Sequence, residues 1–349
     1  MSSYTLPAIG RPPAPPMVRK VAVEEHFDQL GVVAGYGRRR GTGIDDLVHS
    51  MRYDDGWFGI VTERLVEFDT ERLAEMDASG IDVAVLSQTV PGVQGIADAA
   101  DAAAAARDIN DFVGGIVARH PSRYAAFASI ALHDPAAAAR ELERAVTQLG
   151  LKGAMINGYS QLAGETSVEY LDAPRLLPFW EAAAALEAPI YIHPRPPLEQ
   201  KSYEGHAELL GATWGFAPET ATHALRLVYS GLFDRLPRLT IILGHLGETI
   251  PYFAWRIQHC FEYNPADKRV QRRLQDYLCE NFYVTTSGIF SDQALISALL
   301  TVGADRILFA ADYPYEMMQE AARWIERAPI SENDRRKIAS GNATRLLKI

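Results

Sequence analysis

The chain has 349 residues, of which 48% are hydrophobic, so it can bury a large core, and one large domain is as plausible as two. A formal net charge of −10 argues against a nucleic-acid partner, because phosphate backbones require a cationic surface. The two cysteines, Cys260 and Cys279, are too few for a disulfide framework or a cysteine metal cage and are typical of a reducing compartment. No segment approaches the ~20 uninterrupted apolar residues of a membrane span, and we therefore expect a cytoplasmic protein that acts on small molecules.

The N-terminal residues 1–19 are rich in proline, as in the stretch RPPAPP at 11–16. They include no apolar run long enough for a signal sequence, and proline favours extended chain without packed structure. We therefore interpret residues 1–19 as an arm and residues 20–349 as a single domain.

Eight short apolar segments predict β-strands, and most of them are separated by stretches with helical character. In chain order they are 21–26 (VAVEEH), 81–87 (IDVAVLS), 124–132 (YAAFASIAL), 153–159 (GAMINGY), 189–194 (PIYIHP), 239–245 (LTIILGH), 282–288 (FYVTTSG) and 306–314 (RILFAADYP). Two intervening helices are predicted over 98–120 and 134–150. The second has Asp134 as its N-cap, Pro135 in its first turn and Gly150 beyond its end.

Strict alternation of strand and helix predicts an α/β fold with a parallel sheet. Eight such units in a chain of this length predict a (β/α)₈ TIM barrel, whose active site lies at the C-terminal ends of the strands. A doubly wound open sheet is the main alternative, but no glycine-rich dinucleotide turn follows any strand. Residues 27–67 form a long insertion after the first strand, typical of a lid or a subunit contact, and the segment 321–349 predicts two or three terminal helices that cover the barrel.

Polar side chains that bind metals in other proteins stand at four of the predicted strand ends. The first strand ends in Glu24 and His26, which share one face, and the fifth, sixth and eighth end in His193, His245 and Asp312. The strand ends of a barrel form a ring, so we expect these side chains to converge. Two of the imidazoles and the two carboxylates would suit a divalent ion and balance its charge.

For the remaining charged and imidazole groups, the sequence predicts structural roles in the core or on the surface. Glu25 faces away from Glu24, lies between barrel and helices, and needs a cation or a hydrogen-bond donor as partner. We predict core or surface roles for the other histidines, which are His49, His120, His133, His206, His223 and His259.

Several long motifs, which occur in a fixed order from Lys20 to the C-terminus, carry a family resemblance. They are VAVEEHF, INGYSQ, YIHPRPP, GATWGFAPETATHALRL, SGLFDRLPRLTIILGHLGETIPYFAWRI and GADRILFAADYPYE. Together they resemble the hydroxybenzoate decarboxylases of the amidohydrolase superfamily. This group contains the γ-resorcylate and 2,3-dihydroxybenzoate decarboxylases and is related to aminocarboxymuconate semialdehyde decarboxylase. Many hydrolases of the superfamily carry His-x-His on the first strand, whereas this chain has Glu24-x-His26, as the dihydroxybenzoate decarboxylases do.

The resemblance implies a homodimeric or homotetrameric enzyme with one divalent metal ion and no organic cofactor. Zn²⁺ is the expected ion, with Mn²⁺ or Mg²⁺ as alternatives. The resemblance implies the following roles: Glu24, His26, His193 and Asp312 bind the metal, His245 and Glu248 form an acid/base pair, and Arg256 binds the substrate carboxylate. We also expect Asn157 and Phe290, which lie near strand ends, to contact the substrate.

The implied reaction is non-oxidative decarboxylation of an ortho-hydroxybenzoate, such as 2,3- or 2,6-dihydroxybenzoate, to the phenol and CO₂, and its reversibility stays open. Loss of CO₂ from an aromatic ring needs prior protonation of the carbon that bears the carboxylate, and Asp312 is the candidate acid. The alternative is a metal-dependent hydrolase of a lactone or amide, with the same ligands and Asp312 as general base. Glu24 and the aromatic residues Tyr159, Phe216 and Phe290 near the strand ends favour the decarboxylase.

Overall fold

A computed structural model describes residues 18–29, 57–164, 167–263 and 270–349. Eight parallel strand positions follow one another along the chain. They are β1 (Lys20–Phe27), β2 (Ile81–Gln88), β3 (Tyr124–Ala126 with Ala128–Ser129), β4 (Ala154–Asn157), β5 (Ile190–His193), β6 (Ile241–Leu243), β7 (Phe282–Thr285) and β8 (Ile307–Leu308). Each of the eight predicted segments therefore contains a strand, although most of the strands are shorter than predicted.

The strands close into a ring, which confirms the predicted (β/α)₈ barrel. Each strand from β1 to β8 pairs in parallel with the next one, and β3 changes partner at Phe127, whose amide bonds to the Leu86 carbonyl. The predicted third strand therefore splits into two pieces. A parallel bridge between Glu25 and Tyr313, together with a 3.0 Å bond from the Val23 amide to the Phe309 carbonyl, joins β8 to β1.

Helices cover the outside of the ring. They are α1 (Trp57–Leu65), α2 (Glu71–Ser79), α3 (Ala99–Arg119), α4 (Pro135–Thr147), α5 (Leu177–Ala185), α6 (Phe216–Tyr229), α7 (Leu232–Arg235), α8 (Ile250–Tyr263), α9 (Leu274–Glu280), α10 (Asp292–Val302), α11 (Met318–Arg327), α12 (Glu332–Arg336) and α13 (Asn342–Leu347). Single turns of 3₁₀ helix occupy Gly92–Gly95, Pro174–Leu176, Lys201–Tyr203, Ala207–Leu209 and Ala304–Arg306, and a π turn spans Lys337–Gly341. A two-stranded hairpin pairs Ser160–Gln161 with Val168–Glu169.

The start of α4 agrees with the sequence. The Asp134 carboxylate accepts hydrogen bonds from the amides of Ala136 and Ala137, so it satisfies donors that the first helical turn leaves open. Gly150 adopts a left-handed backbone with φ 71° beyond the end of the helix, a conformation that glycine adopts without strain.

The core has two layers. Inside the barrel, alternate residues such as Val21, Val23 and Tyr191 pack against Ala343 and Leu347 of α13, which closes the N-terminal end of the barrel. The second layer lies between the strands and the surrounding helices. Because α13 fills one end, the side chains at the C-terminal ends of the strands meet at the other end.

Three predicted features fall wholly or partly outside the described residues. They are His49, the arm 1–19 except for its last two residues, and the insertion 27–67, of which only 27–29 and 57–67 are described. The division into arm and single domain therefore stays a prediction. Within the described part of the chain, no helix is both long and apolar enough to cross a membrane.

Candidate metal centre and active site

Four side chains from three strand ends converge at the C-terminal end of the barrel. Strand alternation turns Glu24 and His26 inward, and His193 at the end of β5 and Asp312 just after β8 face them. One ligand atom from each residue lies within 4.8 Å of all the others. His26 Nε2 is 3.1 Å from Asp312 Oδ1, and His193 Nε2 is 3.4 Å from Glu24 Oε1. The four residues with predicted ligand roles therefore form one cluster.

The chemistry of this cluster fits a divalent cation. Glu24 Oε1 and His26 Nε2 are buried at its centre, and neither makes a well-directed hydrogen bond to any described residue. Buried polar atoms normally have a partner, so atoms left free here are available to a ligand. Two imidazole nitrogens and two carboxylate oxygens are donors that Zn²⁺ and Mn²⁺ accept, and the two negative charges balance a 2+ ion.

The electrostatics of the cluster agree with this fit. Burial lowers the pKa of His193 to about 3, and the nearby charge of His26 acts in the same direction, so the imidazole is neutral and keeps a free lone pair. Burial alone would raise the pKa of Glu24, but His245 and His26 lower it, so Glu24 is a carboxylate. Burial would also lower the pKa of His26, yet Asp312 and Glu24 raise it to about 9. The two carboxylates therefore attract positive charge to this point.

Hydrogen bonds at the outer nitrogens hold the two imidazoles in place. His193 Nδ1 lies 2.7 Å from Asn157 Oδ1, and His26 Nδ1 lies 3.2 Å from Ser87 Oγ. Such contacts fix the tautomer and the ring orientation, so that Nε2 of each ring points into the cluster. Asn157 was predicted to contact the substrate, and that role stays a prediction, whereas the contact observed here is with His193.

The second oxygen of Glu24 is held by hydroxyl groups. Glu24 Oε2 accepts hydrogen bonds from Tyr191 Oη and from Thr285 Oγ1, and both donors are buried, on β5 and β7. The sequence analysis did not identify Tyr191, Thr285 or Ser87. Tyr191 could have been identified from the strand pattern, because it precedes His193 by two residues and therefore shares its inward face.

His245 and Glu248 lie on a left-handed turn between β6 and α8. His245, Leu246 and Glu248 have φ values of 50°, 50° and 53°, a conformation that costs roughly 1–2 kcal/mol for each non-glycine residue. The turn brings His245 Nδ1 to 2.7 Å from Glu248 Oε1, and a 3.1 Å bond from the His245 amide to Ser287 Oγ supports it. The two residues predicted as an acid/base pair are therefore in contact, and their role in acid/base chemistry stays a prediction.

The same turn directs His245 at Asp312. His245 Nε2 lies 3.5 Å from Asp312 Oδ2, while the other oxygen of Asp312 faces His26. Burial disfavours a charge on His245, but Glu248 and Glu24 raise its pKa well above the usual value. Asp312 thus joins the cluster to the His245–Glu248 pair, with one oxygen facing His26 and the other facing His245.

Gly288 leaves space beside these groups. It has φ 61°, and a Cβ at this position would lie 3.2 Å from both Asp312 Oδ2 and His245 Cδ2. The lack of a side chain therefore keeps room between the carboxylate and the imidazole.

The structure does not bring every predicted site residue to the cluster. Arg256 lies in the middle of α8 with an exposed side chain, and among the described residues it makes no ion pair. Phe290 packs beside Trp324 of α11, with ring centroids 5.9 Å apart. The substrate roles of both residues stay predictions.

The other described histidines lie away from the cluster. His223 is buried in α6 and stacks on Tyr170 with centroids 4.6 Å apart, and burial lowers its pKa to about 3. The remaining four contact other partners: His120 lies 2.6 Å from Asp69, His133 bonds to the Gln161 carbonyl, His206 pairs with Glu208 and His259 stacks on Trp255.

Comparison with known proteins identifies the relatives of this chain. The amidohydrolase family model matches residues 28–349. The gamma-resorcylate decarboxylase of Polaromonas sp. (strain JS666 / ATCC BAA-500) is 45% identical over 336 residues, which cover 95% of this chain and 98% of that protein. The crystal structure of a 2,6-dihydroxybenzoate decarboxylase complexed with 2,6-dihydroxybenzoate is 44% identical, with a TM-score of 0.87 and coverage of 95% and 99%.

A second solved structure is equally similar and contains a metal. It is a dihydroxybenzoic acid decarboxylase from Polaromonas sp. JS666 with bound manganese and the inhibitor 2-nitroresorcinol. Its sequence is 44% identical, its TM-score is 0.87, and the match covers 95% of this chain and 97% of that one. The chain therefore belongs to the amidohydrolase family, in the group that includes the gamma-resorcylate decarboxylases.

Proposed function

We propose that the protein is a carboxy-lyase, a metal-dependent decarboxylase that converts an ortho-hydroxybenzoate to the corresponding phenol and CO₂. The observation that carries the proposal is the position of Asp312. One of its oxygens faces the ligand cluster at His26, and the other faces the His245–Glu248 pair. The relatives named decarboxylases, which match the chain along nearly its whole length, support the same reaction. A bound substrate complex of one relative makes 2,6-dihydroxybenzoate the first substrate to test.

Glu24, His26, His193 and Asp312 would hold the metal. A divalent ion in this position supplies Lewis-acid chemistry, which orients and stabilises adjacent phenolate and carboxylate oxygens of a bound substrate. The protein holds the four ligand atoms in one small region, because Asn157 and Ser87 fix the imidazoles and Tyr191 fixes Glu24. The manganese in a relative makes Mn²⁺ a stronger candidate than the sequence alone suggested, beside the expected Zn²⁺.

Asp312 is the proposed proton donor. The bond between an aromatic ring and its carboxylate lies in the ring plane, so its electrons cannot enter the π system until the ring carbon becomes tetrahedral. Transfer of a proton from Asp312 to that carbon forms a C–H bond and removes the aromaticity of the ring. The C–C bond then breaks, its electron pair returns to the ring, and CO₂ leaves. Asp312 ends the step as a carboxylate and regains a proton from the His245 imidazolium, whose Nε2 lies 3.5 Å from Asp312 Oδ2, while the product phenolate takes a proton from solvent.

His245 and Glu248 would act on the phenol. His245 Nε2 points into the site next to Asp312, and Glu248 holds the opposite nitrogen at 2.7 Å. The raised pKa of His245 makes its neutral form a strong base, so once its proton has passed to Asp312, His245 can accept the phenol proton while Glu248 stabilises the resulting imidazolium. A phenolate pushes electron density onto the ortho carbon, which makes that carbon easier to protonate.

The proposal also covers the cellular location, the oligomeric state and the cofactor requirement of the enzyme. We propose that it works in the cytoplasm as a homodimer or homotetramer, without an organic cofactor. The two cysteines, neither of which forms a disulfide, and the family resemblance support this setting.

The decisive experiment compares substrates on metal-replete protein. The protein is stripped with a chelator, reloaded in parallel with Mn²⁺, Zn²⁺ or Mg²⁺, and supplied with 2,6-dihydroxybenzoate, 2,3-dihydroxybenzoate or 4-hydroxybenzoate. We expect CO₂ release only from the two ortho-hydroxy acids and only after reloading. Equal turnover of the para isomer, or full activity in the stripped protein, would refute the proposal.

A further inference from the structure

Arg195 is a buried cation whose hydrogen-bonding capacity is only partly used. It follows β5 two residues after His193, and its side chain is fully buried. Nη1 donates hydrogen bonds to the carbonyls of Gln94 and Tyr159, at 3.2 and 2.5 Å. Nε and Nη2 have no hydrogen-bond partner, and no carboxylate forms an ion pair with the guanidinium, among the described residues. A buried charge is costly unless it is paired, so the environment of Arg195 is incomplete.

His223 of α6 lies close to Arg195 and is also without hydrogen bonds. Its imidazole is 1% exposed, and neither ring nitrogen has a hydrogen-bond partner in the part of the chain that the structure describes. Nε2 lies 3.6 Å from Glu219 Oε1, which is too far for a good hydrogen bond. The ring stacks on Tyr170, and Tyr159 lies between this imidazole and the guanidinium, with its ring centroid 6.3 Å from the His223 centroid and 4.3 Å from Arg195 Cζ.

Gly158 leaves a gap between these two side chains. It has φ 60° and follows Asn157 at the end of β4. A Cβ at this position would lie 3.2 Å from Arg195 Cβ, 3.6 Å from Arg195 Cδ and 3.5 Å from His223 Nε2. Cδ is bonded to the unpartnered Nε, so this nitrogen and the imidazole nitrogen border the same gap. We call Arg195, His223 and Gly158 the buried arginine site.

We propose that the buried arginine site binds a small planar oxyanion of the carboxylate or bicarbonate class. Because Nη1 is occupied by two carbonyls, the free nitrogens Nε and Nη2 form one edge of the planar guanidinium. Such an edge donates two parallel hydrogen bonds to the two oxygens of a planar anion. Water can accept the same hydrogen bonds, but it leaves the buried charge of Arg195 unpaired.

His223 supplies a third donor to this anion. Burial lowers the pKa of His223 to about 3, so the ring is neutral at pH 7 and carries one N–H. Its Nε2 borders the gap at Gly158, where it can face the third oxygen of a bicarbonate or the edge of a carboxylate. Hydrogen bonds in a buried site are stronger than in water, so three donors are sufficient to hold a small ion.

Glu219 is the charge that opposes an anion at this site. Its negative charge acts on Arg195, but its Oε1 accepts a hydrogen bond from Tyr170 Oη at 2.7 Å instead of pairing with the guanidinium. Arg226, on the outer side of Tyr170, is already paired with Asp172 at 2.8 Å. Removal of the Glu219 charge should therefore strengthen anion binding, whereas a site filled with water would not respond.

The buried arginine site is linked to the ligand cluster by a chain of contacts. Arg195 holds the carbonyl of Gln94, and Gln94 Oε1 accepts a hydrogen bond from the Asn157 amide at 3.2 Å. Asn157 Oδ1 in turn lies 2.7 Å from His193 Nδ1. An anion that fixes Arg195 therefore also supports His193, and metal content has to be measured in every variant of the site.

The test measures binding without turnover, so it does not depend on the proposed reaction. Only the choice of bicarbonate as a probe, which CO₂ forms in water, comes from that reaction. The full-length, metal-loaded protein is unfolded by heat at constant pH in sodium formate or sodium bicarbonate, with sodium chloride at the same ionic strength as the reference. An ion that binds only the folded protein raises the unfolding midpoint in a saturable way. We expect this rise with formate and bicarbonate, and a smaller one with chloride.

Four variants assign the effect to the buried arginine site. Arg195→Met should abolish the rise, His223→Phe should raise the dissociation constant roughly 3- to 10-fold through loss of one donor, and Glu219→Gln should lower it. Arg335→Met is the matched control, because Arg335 is also buried but has the Ala328 carbonyl and the Glu332 carboxylate as partners. It should lower the midpoint in every salt and leave the response to formate unchanged.

A wild-type midpoint that rises no more with formate or bicarbonate than with chloride overturns the inference and leaves water as the occupant. A folded Arg195→Met protein with the wild-type response overturns it as well. If Arg195→Met does not fold, the opposite shifts expected for His223→Phe and Glu219→Gln decide the question, and unchanged affinity in both refutes the site. Assays of CO₂ release on the same samples report separately on the proposed reaction.

Discussion

Glu25 holds Asp312 in place without touching its side chain. The Glu25 carboxylate accepts hydrogen bonds from the amides on both sides of Asp312, at 2.9 Å from Ala311 and 3.3 Å from Tyr313. Asp312 itself has φ 79°, a left-handed conformation that is unfavourable for aspartate and persists only where neighbouring structure enforces it. Glu25 therefore has the hydrogen-bond donors that its buried position required, and the same donors fix the predicted acid.

Removing the Glu25 side chain should lower both the stability of the protein and its affinity for the metal. In Glu25→Ala, two buried amides lose their acceptor, so the free energy of unfolding should fall by roughly 2–4 kcal/mol. Metal affinity should fall as well, because the Asp312 backbone loses its support. Glu25→Gln keeps one acceptor oxygen and should lie between Glu25→Ala and the wild type.

Chemical denaturation and metal content after dialysis measure the two effects of Glu25→Ala. Glu71→Ala on the exposed side of α2 is the control and should change neither quantity. Wild-type metal affinity in Glu25→Ala would show that Asp312 does not depend on this support.

Periodicity predicted the barrel and the convergence of the polar strand ends, whereas the choice of His193 over His245 as a ligand came from the family resemblance. The period of two along β1 assigned Glu24 and His26 to one face, and the ring of strand ends brought His193 and Asp312 to them. These relations hold for any barrel with this pattern, so they did not require the positions of individual side chains.

The contacts around the ligands could not be predicted in the same way. The bond between Asn157 and His193 depends on the register of β4 against β5, and the left-handed turn at His245 depends on support from Ser287, which follows the adjacent strand β7. Motif matching assigned Arg256 to the substrate, but it could not predict that the side chain is exposed to solvent in the single chain.

Asn157 should increase the affinity for the metal by holding the His193 imidazole in position. Asn157→Leu keeps a similar volume but removes the oxygen that lies 2.7 Å from His193 Nδ1. We expect metal affinity to fall about 10–100-fold, the range found when such supporting contacts are lost. Titration with a competing chelator measures this.

Asn110 offers a matched control for Asn157. It is also buried, and it bonds to the backbone of Ser129 instead of a metal ligand. Asn110→Leu should reduce stability and leave metal affinity unchanged. Equal effects of both substitutions on metal affinity would mean that Asn157 acts only through general stability.

Gly288 should be required for activity rather than for folding. Gly288→Ala and Gly150→Ala both place alanine at a positive φ, 61° and 71°, so each should lose about 1 kcal/mol of stability. Only at Gly288 would the added Cβ approach Asp312 and His245, because no atom of the described residues lies within 4 Å of the corresponding position at Gly150. Turnover should therefore fall in Gly288→Ala alone, and similar turnover in both variants would contradict the expected role of this space.

Glu67 should make stability depend on acid pH. Its carboxylate accepts hydrogen bonds from the amides of Asp69, Thr70 and Arg72 at the start of α2. Burial raises its pKa, but these amides outweigh burial and lower the pKa below the ordinary value of 4.5. The folded state therefore favours the carboxylate, and its stabilisation is present above pH 4.5 and is lost as the pH falls through the folded pKa.

Glu67→Gln should accordingly destabilise the protein at pH 7, and the difference from wild type should shrink as the pH falls below 4.5. Thermal unfolding across this range measures the difference. Glu63→Gln on the exposed side of α1 serves as control. A difference that does not vary with pH would show that the Glu67 charge has no part in stability.

The proton on the ring carbon gives the most direct test of Asp312. Asp312→Asn keeps the size of the side chain and one weak ligand oxygen but cannot donate the proton, so turnover should fall by at least ~10²–10⁴-fold. His245→Gln should also be slow, for a different reason, because it fails to accept the phenol proton. Substrates with a more acidic phenol should therefore partly rescue His245→Gln and should not rescue Asp312→Asn.

Exchange of the product phenol in D₂O separates the two roles without any loss of CO₂. The reverse of the protonation step removes hydrogen from the carbon that carried the carboxylate, so the wild-type enzyme should introduce deuterium at that carbon, as followed by NMR. Asp312→Asn, reloaded to the same metal content, should exchange no faster than a sample without enzyme. If Asp312→Asn exchanges at the wild-type rate, another group carries this proton, and His245, whose Nε2 lies 3.5 Å from Asp312 Oδ2, is then the first candidate.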